Sequence, residues 1–414
     1  MGLPKNNVLS PFHRRPVATH YKDDILIPHQ LIENPAQLES FAQATRDAEW
    51  ICFDTEFVGE KRFQTLICLI QITCEAGNFL LDPLRLPNLD PLLDLLRNPK
   101  VLKVTHAGEN DYRLFYLQYG VLPVNVFDTQ IAAGMLGYRY PSGLAKIVSG
   151  ELNQHLKKGF AVTDWEARPF SNKQLDYALD DVVILEPLWR SLEKKLRAKG
   201  RWEWAREECS RMEQESFYYQ DPHHEALNSN LILSLKRREQ IFLIRMFAWR
   251  RSEAERLDHS KNMVLPQKMI SQIVKAIRGG KQALLENRRI PDHLVRKYGK
   301  LLESLYQQPP TDEELALLKR LPSPPDEDAR DEMLLELLYL LMKYRSLEEG
   351  ISHALVMPRN AIRRMKNDAD TLEDMLGSGW RRELLGSDFV NWLTHYDSLE
   401  LTIDGGRIAI KVPQ

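Results

Sequence analysis

The chain has 414 residues, of which 43% are hydrophobic and 28% charged, and its formal net charge is −2. This length exceeds what one ordinary core supports and predicts roughly two to four domains. No apolar run approaches the ~20 residues of a membrane span, and the amino terminus is polar and basic where a secretory signal would be apolar. We therefore expect a cytoplasmic protein that does not associate with membranes.

Cysteine spacing and the distribution of charge narrow the class further. The four cysteines form no Cys-x-x-Cys pair, which argues against a zinc knuckle and a disulfide framework. Residues 236–300 contain 17 Lys and Arg against 6 Asp and Glu, whereas residues 326–397 contain 9 against 15. Because the whole chain is almost neutral, a polyanion would have to bind the first of these two segments.

The amino-terminal half predicts a mixed α/β domain with helices on both faces of its sheet. After a polar extension, a short helix precedes three strands of an antiparallel meander: these elements are Leu31 to Ala48, Trp50 to Val58, Leu66 to Thr73 and Phe79 to Asp82. Helices and strands then alternate: Leu89 to Arg97, Val101 to His106, Asp111 to Tyr119, Val124 to Asp128 and Thr129 to Leu136. A longer helix is predicted over Asn172 to Arg197, with Ser171 and Gln174 forming a capping box at its start.

The carboxyl-terminal half predicts helices and an internal repeat. Val264-Leu265-Pro266 followed by Ile270 recurs 92 residues later as Val356-Met357-Pro358 followed by Ile362. In each copy a long helix precedes the motif, and the proline stands where a helix would begin. Two copies of one helical module are the simplest interpretation, with chance similarity as the alternative.

The last residues predict a β-hairpin, because apolar and polar residues alternate on either side of Asp404-Gly405-Gly406. The whole chain then divides into seven units. These are an extension over 1–28, the α/β domain over 29–200, a helical linker over 201–229, a first helical domain over 230–312, a linker over 313–325, a second helical domain over 326–397 and the hairpin over 398–414.

Two acids, Asp54 and Glu56, interrupt the apolar strand Trp50 to Val58. Residues two apart in a strand point to the same face, so both carboxylates would project together. Adjacent anions repel unless a cation lies between them, and hard oxygen ligands of this kind suit Mg²⁺ or Mn²⁺. The alternative is a strand that ends in a solvated acidic turn.

Two further acids are predicted near the same edge of the sheet. Asp111 lies at a helix start, where it could equally be a routine helix cap, and Glu109 is the rival carboxylate in that turn. Tyr177 and Asp181 are four residues apart and share a helix face, which by itself is common. Four acids from three segments, together with an aligned phenol, predict one shared site.

These motifs resemble the DEDD exonucleases of the ribonuclease-H-like fold, and within them the ribonuclease D family, in the version that carries tyrosine. The segments similar to the first motif are Asp54-Thr55-Glu56, Phe57 and Leu69-Ile70-Gln71. His106-Ala107 with Asp111 resembles the second motif. The segments similar to the third are Thr163-Asp164-Trp165, Arg168-Pro169, Tyr177 and Asp181.

The resemblance extends into the helical half of the chain. Phe247-Ala248-Trp249-Arg250-Arg251 through Tyr298-Gly299 resembles a helicase and ribonuclease D C-terminal (HRDC) domain. Gly379-Trp380-Arg381 with Glu383-Leu384 resembles the end of a second such domain. The fold class implied is a ribonuclease-H-like exonuclease domain followed by two all-α HRDC-type domains.

The resemblance implies a 3′-5′ exoribonuclease that uses two divalent ions, Mg²⁺ or Mn²⁺, and releases 5′ mononucleotides. The implied metal ligands are Asp54, Glu56, Asp111 and Asp181, and Tyr177 would orient the attacking water rather than act as its base. The implied substrate contacts near these acids are Phe57, Gln71 and His106. The implied substrates are transfer RNA precursors and other structured RNAs with 3′ extensions, and we expect a monomer.

Basic residues of the first HRDC domain are predicted to bind RNA through its phosphates. The candidates are Arg250, Arg251, Lys268, Lys275, Arg278, Lys281, Arg288 and Arg289. For any single one of them, a solvated helix surface is the simpler interpretation; as a set they favour binding.

The chain departs from the family pattern at positions expected to contact substrate. Gly59 stands where the family tends to carry arginine, with Arg62 nearby as a possible substitute. Lys157-Lys158-Gly159 stands where the family often has Asp-Lys-Ser, and the terminal hairpin has no counterpart in the pattern. Two other functions are compatible with the residues: the same hydrolysis on DNA, and a non-catalytic RNA-binding scaffold.

Overall fold

The computed structural model describes residues 27–156, 163–219, 221–321, 329–357, 361, 375–387, 389–390, 400–404 and 407–411. Most of the predicted extension, Lys157-Lys158-Gly159, the 322–325 part of the second linker, Pro358 and Ile362 lie outside these residues. No helix in the described part of the chain is long and apolar enough to cross a bilayer. All four cysteines are buried and unpaired.

A mixed sheet organises the amino-terminal domain. Its strands are β1 Gln30–Ile32, β2 Trp50–Val58, β3 Leu66–Cys74, β4 Gly77–Leu81, β5 Leu102–Thr105 and β6 Val126–Asp128. Over the described residues the strand order is β1-β4-β3-β2-β5-β6. The antiparallel meander of β2, β3 and β4 is confirmed, and β5 runs parallel to β2 and to β6. Because β2 and β5 are parallel, their carboxyl ends lie at the same edge of the sheet.

Helices cover both faces of this sheet, as predicted. They are α1 Pro35–Ala44, α2 Asp90–Arg97, α3 Glu109–Tyr119, α4 Thr129–Met135, α5 Leu144–Leu152, α6 Asn172–Val183, α7 Leu185–Ala198 and α8 Trp202–Ser210. The alternation of β2 decides which face each residue meets. Phe53 stacks on Tyr112 of α3, whereas Trp50 packs on Trp189 of α7. Asp54 is in phase with Trp50 and therefore points to the face that α6 and α7 cover.

Two predicted helix boundaries were wrong. Leu31 and Ile32 belong to β1, which pairs with the distant β4, and the helix begins only at Pro35. A three-residue strand held by a partner far along the chain leaves little local signal. The single helix predicted over Asn172 to Arg197 is two helices that meet at Ile184. Pro187 explains the break, because its ring has no N–H and clashes with the carbonyl four residues earlier.

The elements described in the rest of the chain are helices and the terminal hairpin. The helices are α9 Glu215–Tyr218, α10 His224–Leu227, α11 Arg237–Leu257, α12 Lys261–Val264, α13 Gln267–Ala276, α14 Gly280–Glu286, α15 Asp292–Gln307, α16 Asp312–Leu318, α17 Ala329–Glu349, α18 His353–Val356 and a further helix over Trp380–Leu385. Short 3-10 turns span Arg211–Glu213, Ile232–Ser234 and Ile277–Gly279. The predicted hairpin is present, with β7 Glu400–Asp404 antiparallel to β8 Arg407–Lys411.

The helices follow the predicted repeat. α11 and α17 both contain 21 residues and begin 92 residues apart, and α12 and α18 both contain 4 residues at the same offset. The two copies pack differently. The first has an apolar core of its own, which includes Phe242, Ile270 and Leu294. The second shares one core with the amino-terminal sheet and its helices, to which it contributes Leu355 and Trp380.

A buried ion pair joins the second helical region to α8. The Arg381 guanidinium donates to both carboxylate oxygens of Glu208, at 2.5 and 2.8 Å, and both side chains are 9% exposed. The indole of Trp380 donates to the same carboxylate at 2.9 Å. Burial raises the pKa of Glu208, but Arg381 outweighs burial and holds this pKa below its ordinary value. The pair therefore fixes how the second helical region packs on the amino-terminal domain.

We expect Arg381→Met to lower the thermal midpoint strongly, because it removes the buried partner of the Glu208 charge and leaves only the half-exposed Arg211 paired with it, at a cost of up to about 3 to 5 kcal/mol. The neighbouring, exposed Arg382→Met serves as the control and should change the midpoint little. Melting curves followed by circular dichroism would measure both variants. Equal midpoints for the two would show that the pair does not hold the region in place.

Candidate active site

Strand β2 presents two acids on one face of the sheet. Asp54 lies opposite Gln71, and Glu56 lies opposite Leu69, on β3. Between Glu56 and Phe57 the register shifts by one residue, a bulge of the kind that re-aims side chains at the end of a strand. Both carboxylates therefore project from the carboxyl end of β2 toward α6, which packs on β2 and β3.

Thr55, which lies between these two acids, binds the third acid, Asp111, through its hydroxyl. Thr55 points to the opposite face from Asp54 and donates a hydrogen bond to a carboxylate oxygen of Asp111. Asp111 is not the cap of α3, since Gly108 occupies that position, and only 8% of Asp111 is exposed. Glu109, the rival carboxylate, is half-exposed and pairs with Arg113 at 2.5 Å. The sequence reasoning missed Thr55, although its place between two acids was a signal.

Helix α6 supplies the fourth acid and the phenol. The predicted capping box is present: the Ser171 hydroxyl accepts from the Gln174 backbone, and the Gln174 side chain accepts from the Ser171 backbone. One face of the helix then carries Tyr177 and Asp181 together, with the phenol donating to the carboxylate. The Trp165 ring packs against the ring of Tyr177, with 6.4 Å between the two ring centroids.

The four acids lie close enough to perturb one another. Burial raises the pKa of each, to about 8 for Glu56 and to about 6 for both Asp111 and Asp181. The pKa of Asp54 is raised well above its ordinary value, first by burial and then by Asp111, Asp181 and Glu56. Burial and the charges of Asp181, Glu56 and Asp54 also raise the pKa of Tyr177, so its phenol stays protonated at neutral pH.

This donor set fits a divalent cation. Over the described residues, no three Asp, Glu, His or Cys side chains are already gathered tightly enough to hold a metal ion. The four carboxylates are nevertheless hard anionic oxygen donors of the kind that Mg²⁺ and Mn²⁺ prefer. Burial raises the pKa of Asp54, and repulsion from Asp111, Asp181 and Glu56 raises it further; a bound cation would relieve that repulsion.

The residues predicted to contact substrate near the acids are placed differently from one another. Phe57 is 40% exposed beside Glu56 and can meet a ligand. Gln71 is fully buried, so as placed it cannot touch substrate, and within the described residues its amide has no hydrogen-bond partner. The ring of His106 is engaged on both sides, donating to the carbonyl of Ser142 at 3.1 Å and lying 2.9 Å from the Thr129 hydroxyl.

Two arginines singled out by sequence are tied to acids of the protein. Arg168 donates to both carboxylate oxygens of the buried Asp82, which anchors the segment before α6 to the end of β4. Arg62, the suggested substitute for a substrate-binding arginine, pairs with Glu166 at 2.7 Å and lies 3.6 Å from Asp258. Neither Asp82 nor Asp258 was identified from the sequence, because each acts through a contact far along the chain.

The basic set on the first helical module needs one correction. Arg250 is 2% exposed, and its guanidinium donates to the carbonyls of Lys261 and Leu265 and to three side chains. Its donors are used within the module, so we remove Arg250 from the surface predicted to contact RNA. Arg278 pairs with Glu239 but is exposed. The other exposed or half-buried members are Arg251, Lys268, Lys275, Lys281, Arg288 and Arg289.

Comparisons with known proteins agree with this architecture. Residues 29–197 match the 3′-5′ exonuclease family model, and residues 242–305 match the HRDC domain model. Ribonuclease D of Zymomonas mobilis is 30% identical over 402 residues, which cover 92% of this chain and 98% of that protein. Ribonuclease D of Sphingobium indicum is 31% identical over 386 residues, with 92% and 98% covered. The crystal structure of Escherichia coli RNase D, described as an exoribonuclease involved in structured RNA processing, aligns with a TM-score of 0.77 at 27% identity, covering 89% of this chain and 100% of that one.

A mixed sheet that ends in acids from three segments, followed by an HRDC domain, defines a 3′-5′ exonuclease of the DEDD superfamily. Within that superfamily, the sequence identity to the two ribonuclease D proteins, over nearly the whole of both chains, decides the family. The chain belongs to the ribonuclease D family of 3′-5′ exoribonucleases.

The raised carboxyl pKa values predict how stability depends on pH without metal. A carboxyl whose pKa is raised in the folded state destabilises the fold as pH rises from its ordinary value, near 4, through the raised value, here about 6 to 8. We therefore expect Asp54→Asn to raise the thermal midpoint in EDTA, by an amount that grows from pH 5 to pH 8. Each kcal/mol corresponds to roughly 2 to 4 °C in a domain of this size.

Melting curves in EDTA at several pH values would test this expectation, with Asp176→Asn on α6 as the control for removing one carboxylate. Mg²⁺ should raise the midpoint of the wild type and of the control, but raise that of Asp54→Asn less. A lower midpoint for Asp54→Asn than for the wild type at pH 8 would contradict the mutual repulsion.

Proposed function

We propose that this enzyme hydrolyses RNA from its 3′ end and releases 5′ mononucleotides, with two divalent ions, Mg²⁺ or Mn²⁺, held by its acids. One observation carries the proposal: carboxylates from β2, α3 and α6 lie at one edge of the sheet, where burial raises the pKa of Asp54 and Asp111, Asp181 and Glu56 raise it further. Asp54, Glu56, Asp111 and Asp181 would hold the ions. When bound, these ions supply charge neutralisation for the phosphate and acidify the attacking water.

The side chains around the acids have separate tasks. The Thr55 hydroxyl fixes Asp111 from the far side of β2, so that this carboxylate is oriented toward the site. Tyr177 is a hydrogen-bond donor at neutral pH, because its raised pKa keeps the phenol protonated. It is therefore suited to orient a water molecule or a phosphate oxygen, and unsuited to remove a proton. Phe57 offers an exposed ring beside the acids, on which a terminal base could stack.

The first helical module would hold the RNA upstream of the cleaved nucleotide. Its exposed Lys and Arg side chains suit phosphates, which give affinity and position with little sequence reading. Structured RNAs with 3′ extensions, including transfer RNA precursors, are the proposed substrates, and the enzyme would act as a monomer. The resemblance to an exoribonuclease involved in structured RNA processing supports this class of substrate, and family membership favours RNA over DNA.

We expect Asp54→Asn and Asp181→Asn each to abolish nucleotide release while leaving the fold intact. Tyr177→Phe should reduce kcat by a smaller factor, of the order of 10² to 10⁴ for a positioned catalytic group, because the ring remains and only the hydroxyl is lost. Release of mononucleotides from labelled RNA, with and without Mg²⁺, measures these effects. Asp176→Asn should keep full activity. Cleavage by Asp54→Asn at the wild-type rate would refute the site.

We expect the double substitution Arg288→Gln and Arg289→Gln to weaken RNA binding and flatten its dependence on salt. Each lost phosphate contact reduces the slope of log affinity against log salt by about 0.7 for a single strand. The matched control is Arg46→Gln with Lys100→Gln, two exposed charges before β2 and β5, at the end of the sheet opposite the acids. An unchanged slope in the first pair, or an equal change in both, would count against RNA binding by this module.

A further inference from the structure

The loop that leaves the catalytic strand, residues 59–65, is held by the segments that carry the other acids. On the α3 side, the amide of Gln118 donates to the carbonyl of Thr65 at 2.6 Å. On the α6 side, Arg62 pairs with Glu166 at 2.7 Å, and Glu166 directly follows Trp165, whose ring packs on Tyr177. The position of this loop is thus linked to β2, α3 and α6 together.

The same loop is the docking site of the first helical module. Asp258 ends α11, and one of its carboxylate oxygens accepts hydrogen bonds from the backbone N–H groups of Phe63 and Gln64, both at 3.2 Å. The backbone N–H of Ser260 donates to the carbonyl of Lys61 at 3.0 Å. The Phe63 side chain packs against the core of the module. Contacts therefore run along the loop from residue 61 to residue 64.

These contacts fix geometry more than they add stability. The ion pair of Arg62 with Asp258 is long and partly exposed, and such pairs contribute little. In contrast, the relative orientation of the two domains is restricted by the other contacts. Two consecutive backbone N–H groups donate to one carboxylate, and an apolar ring is anchored beside them. Asp258 can make this contact because its φ of 45° turns the chain sharply at the end of α11.

We propose that Asp258 is a positioning residue that sets the distance between the RNA-holding module and the catalytic acids, and that this docking makes the enzyme favour long RNA over short. The inference rests on the proposed function, since it requires that the module hold RNA upstream of the cleaved nucleotide. A docked module presents the 3′ end to the acids at a high effective concentration. Without the contact, the module stays attached through the chain but is no longer aligned, so this concentration falls without reaching zero.

The experiment compares two substrates in the full-length enzyme. Asp258→Gly removes the carboxylate without straining the backbone, because glycine accepts a positive φ. Asp258→Asn loses the charge but keeps an oxygen that can accept from Phe63 and Gln64, and asparagine also tolerates this conformation. Glu255→Ala, an exposed acid one turn earlier in α11, is the control. kcat and KM are measured for a long single-stranded oligoribonucleotide and for a dinucleotide.

We expect Asp258→Gly to raise KM for the long RNA about ten-fold, equivalent to ~1.4 kcal/mol, with kcat unchanged. Dinucleotide cleavage should be unchanged, because a dinucleotide is too short to reach the module. Asp258→Asn should restore most of the KM, and Glu255→Ala should behave as the wild type.

Three results would overturn the proposal in different ways. An unchanged KM for the long RNA in Asp258→Gly would show that the docking does not deliver substrate. Equal losses on both substrates would show that the loop acts on the acids themselves. Failure of the wild type to release nucleotides from either RNA would overturn the proposed function, and this inference with it.

Discussion

Repulsion among four carboxylates is the constraint on which the rest of this structure depends. Asp54 is half-buried at the end of a strand; burial raises its pKa, and Asp111, Asp181 and Glu56 each raise this pKa further. Such a cluster opposes folding at neutral pH, so the surrounding fold must be strong enough to hold it. The hydrogen bond from Thr55 to Asp111, the phenol of Tyr177 on Asp181 and the Arg168 pair with Asp82 provide that support. A bound cation would relieve the repulsion among these acids, so the cluster is suited to chemistry that uses divalent ions.

The topology explains why acids so far apart in sequence meet. Strands β2 and β5 are parallel neighbours, so the residues that follow them lie at the same edge of the sheet. Asp54 and Glu56 stand at the end of β2, and Asp111 stands in the first turn of the helix after β5. Helix α6 then crosses that face and brings Asp181 to the same place. The first helical module is docked on the loop that begins just past these acids.

The prediction of the site rests on signals that are local in the sequence. Alternation in a strand places Asp54 beside Glu56, and spacing on a helix places Tyr177 beside Asp181. The features that the sequence did not predict depend on partners far along the chain or, for the break between α6 and α7, on a single proline. Strand β1 exists only because β4 pairs with it, and Pro187 divides a helix whose apolar stripe runs on without interruption. Arg250 has the charge and the donors of a residue that binds phosphate. Only the folded module shows that these donors are already bonded to backbone carbonyls and a side-chain amide.

The two helical copies differ in what they share with the nuclease. The first keeps a separate apolar core, whereas the second adds its side chains to the core that underlies the catalytic sheet. Cooperativity should follow these cores rather than the order of the chain. The nuclease and the carboxyl-terminal helices would unfold as a single unit, and the intervening module could open independently while both of its neighbours stay native.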